Sequence, residues 1–163
     1  MKAAGIRVGC GFDAHRFVEG RPLVLGGVTI PYARGLEGHS DADVLIHAVC
    51  DAILGAIGAG DIGRHFPDTD PQYQGIPSLV LLKRVADLAG DHGWEIVNVD
   101  VTVILQKPRI APHVPAMIER LASALGRDAS INIKGKTTEG MGFTGTGEGV
   151  AAMAVALLSR ANA

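Results

Sequence analysis

The chain has little that would mark it for export, a membrane or a nucleic acid. Two cysteines, Cys10 and Cys50, lie far apart with no C-x-x-C spacing. A disulfide framework and a zinc ribbon are therefore excluded, and both read as small buried apolar residues in a reducing compartment. No apolar run reaches the ~18 residues a membrane span needs, because charges or histidines interrupt every candidate. No basic segment leads into an apolar stretch at the N-terminus, so the expected setting is the cytoplasm. Fifteen Lys and Arg against seventeen Asp and Glu give a net charge of −2. That balance supplies no basic face for nucleic acid. Aromatics are scarce at 4%, yet 47% of the 163 residues are hydrophobic, which excludes a disordered chain. A chain of this length buries about two thirds of its unfolded surface, enough for a core without staples. One domain over residues 1–163 is expected.

Glycine is abundant, at 22 residues. Many backbone positions must adopt unusual dihedrals or accept close neighbours. Around them the pattern alternates between strand and helix. Ile6, Val8, Cys10 and Phe12 alternate, which predicts a strand ending near Asp13. Leu23 to Ile30, broken by Gly26-Gly27, predicts a hairpin. Ser40-Asp41-Ala42-Asp43 has the spacing of a capping box with Ser40 as the cap, opening a helix to Ile57. Ser78 can cap a second helix with Leu81, Val85 and Leu88 inward and Lys83, Arg84 and Asp87 outward. Glu95 to Leu105 predicts a strand with Val97, Val99, Val101 and Val103 on one face. Pro112 and Pro115 suit the first turn of a helix with Val114, Met117, Ile118, Leu121 and Leu125 inside. Ile131 to Lys134 predicts a strand, and Gly140 to Gly149 a glycine-rich loop. Val150 to Leu158 carries both alanine and β-branched residues, and its place after that loop favours a strand. The interleaving predicts an α/β or α+β layered fold with a strand-helix-strand unit over 95–134.

Four sets of residues carry chemistry. Asp13 and His15, one residue apart at a strand end, point to the same face. On the first helix Asp43, His47 and Asp51 form a polar stripe about 80° wide on an otherwise apolar surface. Such a helix is buried, so the stripe is not simply a solvated face. His47 is then either a hydrogen-bonded core histidine or a metal ligand. Asp13, His15 and His47 would make a three-donor N/N/O set with one tetrahedral position open, the pattern of catalytic zinc. His39-Ser40 precedes a helix N-terminus that attracts anions. Lys134, Lys136, Thr137, Thr138 and Glu139 offer cations, hydroxyls and a carboxylate suited to phosphate and Mg²⁺. The loop from Asp61 to Asp70 reads by itself as an ordinary surface loop. His92 and His113 read as surface histidines, and Gly145-x-Gly147 fits neither a Walker nor a Rossmann loop.

Several separated motifs together resemble the 2-C-methyl-D-erythritol 2,4-cyclodiphosphate synthase family over essentially the whole chain. They are Gly11-Phe12-Asp13-Ala14-His15, Gly38-His39-Ser40-Asp41-Ala42-Asp43-Val44 with His47, Gly60-Asp61-Ile62-Gly63 running into Phe66-Pro67-Asp68-Thr69-Asp70, Asn98-Val99-Asp100, and Thr137-Thr138-Glu139 with Gly142-Phe143-Thr144-Gly145. The resemblance implies an intramolecular phosphoryl transfer on a cytidyl diphosphate substrate, releasing CMP. It implies Zn²⁺ on Asp13, His15 and His47, and Mg²⁺ or Mn²⁺ held with Glu139. His39 and Thr137 match the transition-state-stabilising pair, with Ser40 beside His39. Asp61 and Gly63, flanking Ile62, match ribose contacts. Phe66, Pro67, Asp68, Thr69 and Asp70 match a mobile loop over the erythritol end. Leu105, Gln106, Lys107, Pro108, Arg109, Ile110 and Ala111 match a cytosine pocket formed largely by backbone. The substrate surface also takes in Asp13, His15, Lys136, Thr138, Phe143 and Thr146.

The resemblance further implies a ferredoxin-like two-layer protomer, α+β in class, assembling as a homotrimer with active sites between subunits. Asn98, Asp100 and Thr102 are then either a subunit contact or a solvated face. Two positions depart from the pattern of many members: Lys136 stands where Thr is common, and Thr146 where Arg is. The latter Arg helps a central trimer cavity hold an isoprenoid diphosphate, so Thr146 argues against that role here. A zinc-organised isoprenoid-diphosphate-binding trimer and a metal-dependent nucleotide hydrolase are the alternatives.

Overall fold

A computed structural model describes residues 5–161. The ends of the 1–163 expectation, residues 1–4 and 162–163, lie outside the described residues. Seven strands are described: β1 (Ile6–Val18), β2 (Leu23–Leu25), β3 (Val28–Ile30), β4 (Gly35–Leu36), β5 (Trp94–Ile104), β6 (Ser130–Lys136) and β7 (Gly149–Arg160). Helices α1 (Val44–Ile57), α2 (Ile62–His65), α3 (Ser78–Asp91), α4 (Val114–Leu125) and α5 (Gly142–Gly145) lie between them. The main sheet has five strands in the order β4-β1-β7-β5-β6, and β2-β3 forms a separate hairpin. β5 and β6 are parallel and joined through α4, while the other pairs of the main sheet are antiparallel. The class is α+β, as expected.

Pairing decides which face of each strand is buried. Gly9, Ala156 and Val99 lie side by side, as do Gly11, Ala154 and Val101. All six are buried, and α1 packs on β1 and β7 at this face. The alanines of β7 are small because the helix comes close, not because the segment is helical. Val150 to Leu158 is accordingly a strand, paired on both sides. The opposite face carries Val8, Cys10 and Phe12 beside Leu157, Val155 and Met153. Val8, Phe12, Met153 and Val155 are among the large apolar side chains exposed in this chain. Cys10 is exposed with them, against the expectation of burial, whereas Cys50 is buried. The apolar half of the β1 alternation therefore faces away from the helices.

Other expectations shift in detail. β1 runs on past Asp13 to Val18 because β7 stays paired as far as Arg16 and β4 then takes over. Val97 falls in a register shift between Ile96 and Asn98 and turns outward, while Val99, Val101 and Val103 stay buried. An extra residue in one strand displaces the side chain that carries it. Pro115 opens α4, but Pro112 belongs to a separate 3₁₀ turn at Ala111–His113. The glycine-rich segment includes the turn α5, and the 61–70 loop includes α2. Both interruptions are single turns.

The two helix caps also differ. Asp43, not Ser40, caps α1: its Oδ1 accepts the amide of Ile46 at 3.1 Å. The residue at the cap of α3 is Pro77, so Ser78 is the first helical residue. Asp43 serves two elements at once. Its carboxylate also accepts the amides of Gly26 at 3.0 Å and Gly27 at 2.7 Å. Both glycines have positive φ, which the tight β2-β3 turn requires.

Candidate metal centre

Asp13 and His15 leave the second half of β1 on the side facing α1, and His47 leaves α1 one turn after its cap. Asp13 Oδ2 lies 2.9 Å from His15 Nε2 and 3.0 Å from His47 Nδ1. The two histidine nitrogens are 3.2 Å apart. These three donor atoms all lie within 4.8 Å of one another, and the side chains are half-buried. Two imidazole nitrogens and a carboxylate oxygen at this spacing fit a divalent ion of the zinc type with a coordination position left open. Of the two readings of His47, a hydrogen-bonded core histidine or a ligand, the second has its candidate cluster: its Nδ1 faces Asp13 and His15.

The electrostatics follow from that proximity. Burial alone would raise the Asp13 carboxyl, but hydrogen bonds from His15 and His47, and their charge, hold it well below the usual carboxylate range. Burial alone would lower His47, yet its bond to the Asp13 carboxylate raises it overall. Asp43, fully buried, is pushed up to about 6 by desolvation and by the nearby Asp41, with its three backbone donors opposing. Burial likewise pushes Asp51 up.

The cluster opens on a cavity of about 430 Å³. Asp13, His15, His39, Ser40 and His47 line one side, and Ile62, Gly63, Phe66, Pro67 and Asp68 the other. The 61–70 segment is thus a cavity wall rather than a plain surface loop. Asp61 stands at the base of α2, where its Oδ1 accepts the Arg64 amide at 2.9 Å. His39 Nε2 lies 3.1 Å from the carbonyl oxygen of Asp70, tying the two loops together. Thr69 and Asp70 do not line the cavity themselves.

A second cavity of about 270 Å³ is lined by Leu105, Gln106, Pro108, Arg109, Ile110 and Ala111, with Lys136 and Thr137 across from them. Lys107 is not among its lining residues, and none is shared with the metal-end cavity. Glu139 is exposed and has φ +54°, a left-handed conformation costly for a residue with a Cβ. The Thr137 hydroxyl donates to its Oε1 at 3.4 Å. The Thr138 hydroxyl donates to the Met141 carbonyl at 2.5 Å and lies 3.0 Å from Thr144 Oγ1, holding the turn before α5. Phe143 lines a third, smaller recess with His15 and Glu148. Thr146 is exposed and donates to the Gly142 carbonyl at 3.0 Å. Within one chain, then, Glu139 and Thr137 are not brought to the Asp13 cluster.

Sequence reasoning missed several contributors. Arg21 donates to the carbonyls of Gly38 at 2.5 Å and Ser40 at 2.6 Å, clamping the loop that carries His39. Tyr73 and Leu81 line the cavity. Asp51 lines it too and accepts the Ile62 amide at 2.7 Å, so the polar stripe on α1 positions α2. Only the Asp51 signal was present in the sequence, in the helical spacing from His47.

The fold and cluster define an α+β protein with a candidate three-donor metal site lining a ligand-sized cavity. A family model described as the YgbB family matches residues 6–159, and the chain belongs to that family. It is 61% identical over 156 residues to the 2-C-methyl-D-erythritol 2,4-cyclodiphosphate synthase of Geotalea daltonii, covering 95% of this chain and 91% of that protein. The bifunctional IspDF of Campylobacter jejuni superposes with a TM-score of 0.90 at 44% identity; 95% of this chain is covered, but only 42% of the longer one. The CDP complex of Plasmodium falciparum IspF superposes with a TM-score of 0.83 at 34% identity, covering 99% of this chain and all of that one.

Proposed function

We infer that this chain is a cyclodiphosphate synthase of isoprenoid precursor biosynthesis, converting 4-diphosphocytidyl-2-C-methyl-D-erythritol 2-phosphate to 2-C-methyl-D-erythritol 2,4-cyclodiphosphate and CMP. The observation that carries the reading is the convergence of Asp13, His15 and His47 on one point of the 430 Å³ cavity. In the reaction an oxygen of the 2-phosphate forms a bond to the β-phosphorus. The bond from that phosphorus to the bridging oxygen breaks, and its electrons leave on CMP. Nucleophile and electrophile belong to one molecule, so the protein's task is to fold the substrate in line and neutralise charge. No activated side-chain nucleophile is needed.

When bound, Zn²⁺ on Asp13, His15 and His47, and Mg²⁺ or Mn²⁺ with Glu139, supply Lewis acids for phosphate oxygens. His39 and Thr137 donate hydrogen bonds to the phosphates as charge builds, with Ser40, Lys136 and Thr138 beside them. Asp61, Ile62 and Gly63 hold the ribose at the base of α2. Phe66, Pro67, Asp68, Thr69 and Asp70 cover the erythritol end and exclude water. Leu105 to Ala111, including Lys107, receive the cytosine in the second cavity. Phe143 and Thr146 complete the surface around α5.

The protomer is proposed as one ferredoxin-like domain that assembles as a trimer in the cytoplasm. Separate metal-end and cytosine-end cavities support a site completed by a neighbouring copy, because a single substrate must engage both. The exposed apolar strip of Val8, Phe12, Met153 and Val155 supports burial of that sheet face between copies. Asp100 lies on the same face, where it accepts Lys134 and Asn132. No described helix is long and apolar enough to cross a membrane. The test is phosphorus NMR on purified protein given the cytidyl substrate and divalent ions. Cyclic diphosphate with CMP is the expected outcome; CMP with an open-chain bisphosphate would instead establish a hydrolase.

A further inference from the structure

His47 has two ring nitrogens, and only one faces the cluster. Its Nε2 points the other way, 3.0 Å from Ser78 Oγ and 3.1 Å from Ser40 Oγ. If Nδ1 offers its lone pair to a cation, Nε2 carries the proton and needs an acceptor. The two hydroxyls are not equivalent. Ser78 is fully buried, and its hydroxyl hydrogen goes to Asp41 Oδ1. The lone pairs of its oxygen are therefore turned toward the ring. The Ser40 oxygen is already shared with the amide of Ala42 at 3.1 Å.

The Ser78 hydroxyl has no part in starting α3. Asp41 Oδ2 accepts the Ser78 backbone amide at 3.0 Å, and that bond needs no side chain. Asp41 is itself held, its Oδ1 accepting the Asp43 amide at 3.2 Å. A carboxylate thus orients a hydroxyl, and the hydroxyl faces the imidazole. Such outer partners fix the ring and raise its basicity as a ligand.

We propose that Ser78, held by Asp41, is the positioning residue of the metal centre, accepting the Nε2 proton of His47 so that Nδ1 is directed at Asp13 and His15. This rests on the metal reading above.

The test uses the full chain and Zn²⁺ as the probe. Affinity is measured by competition with a chromophoric chelator, and the His47 Nε2 proton is followed by NMR in ¹⁵N-histidine-labelled, Zn²⁺-loaded protein. In the parent, that proton resonates downfield and exchanges slowly. In Ser78→Ala the fold persists, the proton loses its protection, and Zn²⁺ affinity falls about 10–100-fold. Asp41→Asn, which keeps an acceptor for the Ser78 hydroxyl, loses less. Unchanged affinity in Ser78→Ala overturns the assignment alone, as does an unprotected Nε2 proton in the parent. Should Ser78→Ala not fold, the parent resonance and the Asp41→Asn affinity decide the matter. Failure of the parent to bind Zn²⁺ overturns the metal reading itself, and this assignment with it.

Discussion

No Cβ fits on Gly11: built there, it would lie 1.9 Å from the carbonyl oxygen of Ala48. Gly9 meets Ala52 in the same way at 1.8 Å. β1 therefore rests with its bare backbone on α1, two residues before Asp13 and one residue along the helix from His47. The Gly11–Ala48 contact sets the strand-to-helix spacing at which a carboxylate and two imidazoles meet. Gly11→Val should cost at least about 3 kcal/mol through overpacking, lowering Tm by about 6–12 °C. It should also weaken Zn²⁺ binding; calorimetry and metal titration check both.

His47→Ala removes one of three clustered donors without touching the glycine-alanine contact. The variant should stay folded by circular dichroism yet retain no stoichiometric Zn²⁺ after dialysis, where the parent holds one equivalent. Turnover should be lost. Most of the parent's activity surviving in chelated buffer would contradict the zinc assignment.

Glu139 stands outside the Asp13 cluster, so its role separates cleanly from that of zinc. Glu139→Gln should keep its Zn²⁺ but need roughly tenfold more Mg²⁺ to reach half its maximal rate, because one charged oxygen ligand is lost. A Mg²⁺ titration at saturating substrate reads this directly.

Asp43 titrates in the fold near 6, above the ordinary 3.8, chiefly because burial penalises its charge. Between those values the folded protein holds a proton that the unfolded chain has released. The contribution of this group is thus fully present below about pH 4 and is lost as pH rises through about 6. Asp43→Asn should flatten that part of the stability curve. Its overall stability should also fall, since the amide nitrogen that replaces Oδ2 cannot accept from Gly27 as the carboxylate does. Urea unfolding from pH 4 to 7 gives both quantities.

Much of the architecture was legible along the chain because local spacing reports local geometry. The one-residue gap from Asp13 to His15 and the four-residue steps through Asp43, His47 and Asp51 needed only the strand and helix periods. The strand-helix-strand unit over 95–134 and the hairpin broken at Gly26-Gly27 were equally plain. Caps were harder: Ser40 and Asp43 both stand before α1 with suitable side chains, and only the backbone path shows which one closes on Ile46. Cys10 and Val97 were misplaced for a related reason. Alternation assigns residues to a face but does not say which face α1 will cover, and it cannot register an inserted residue.

The order of residues by itself determined an alternating strand-and-helix chain, its donor residues and its family motifs, because these depend on neighbours a few positions away. Tertiary structure alone decided that Asp13 and His47, 34 positions apart, share one point, that Ser78 stands behind the ring, and that Glu139 does not join them within a single chain. Those outcomes depend on how closely β1 can lie on α1. That distance is set by the missing side chains of Gly9 and Gly11 against the carbonyls of a helix some forty residues downstream.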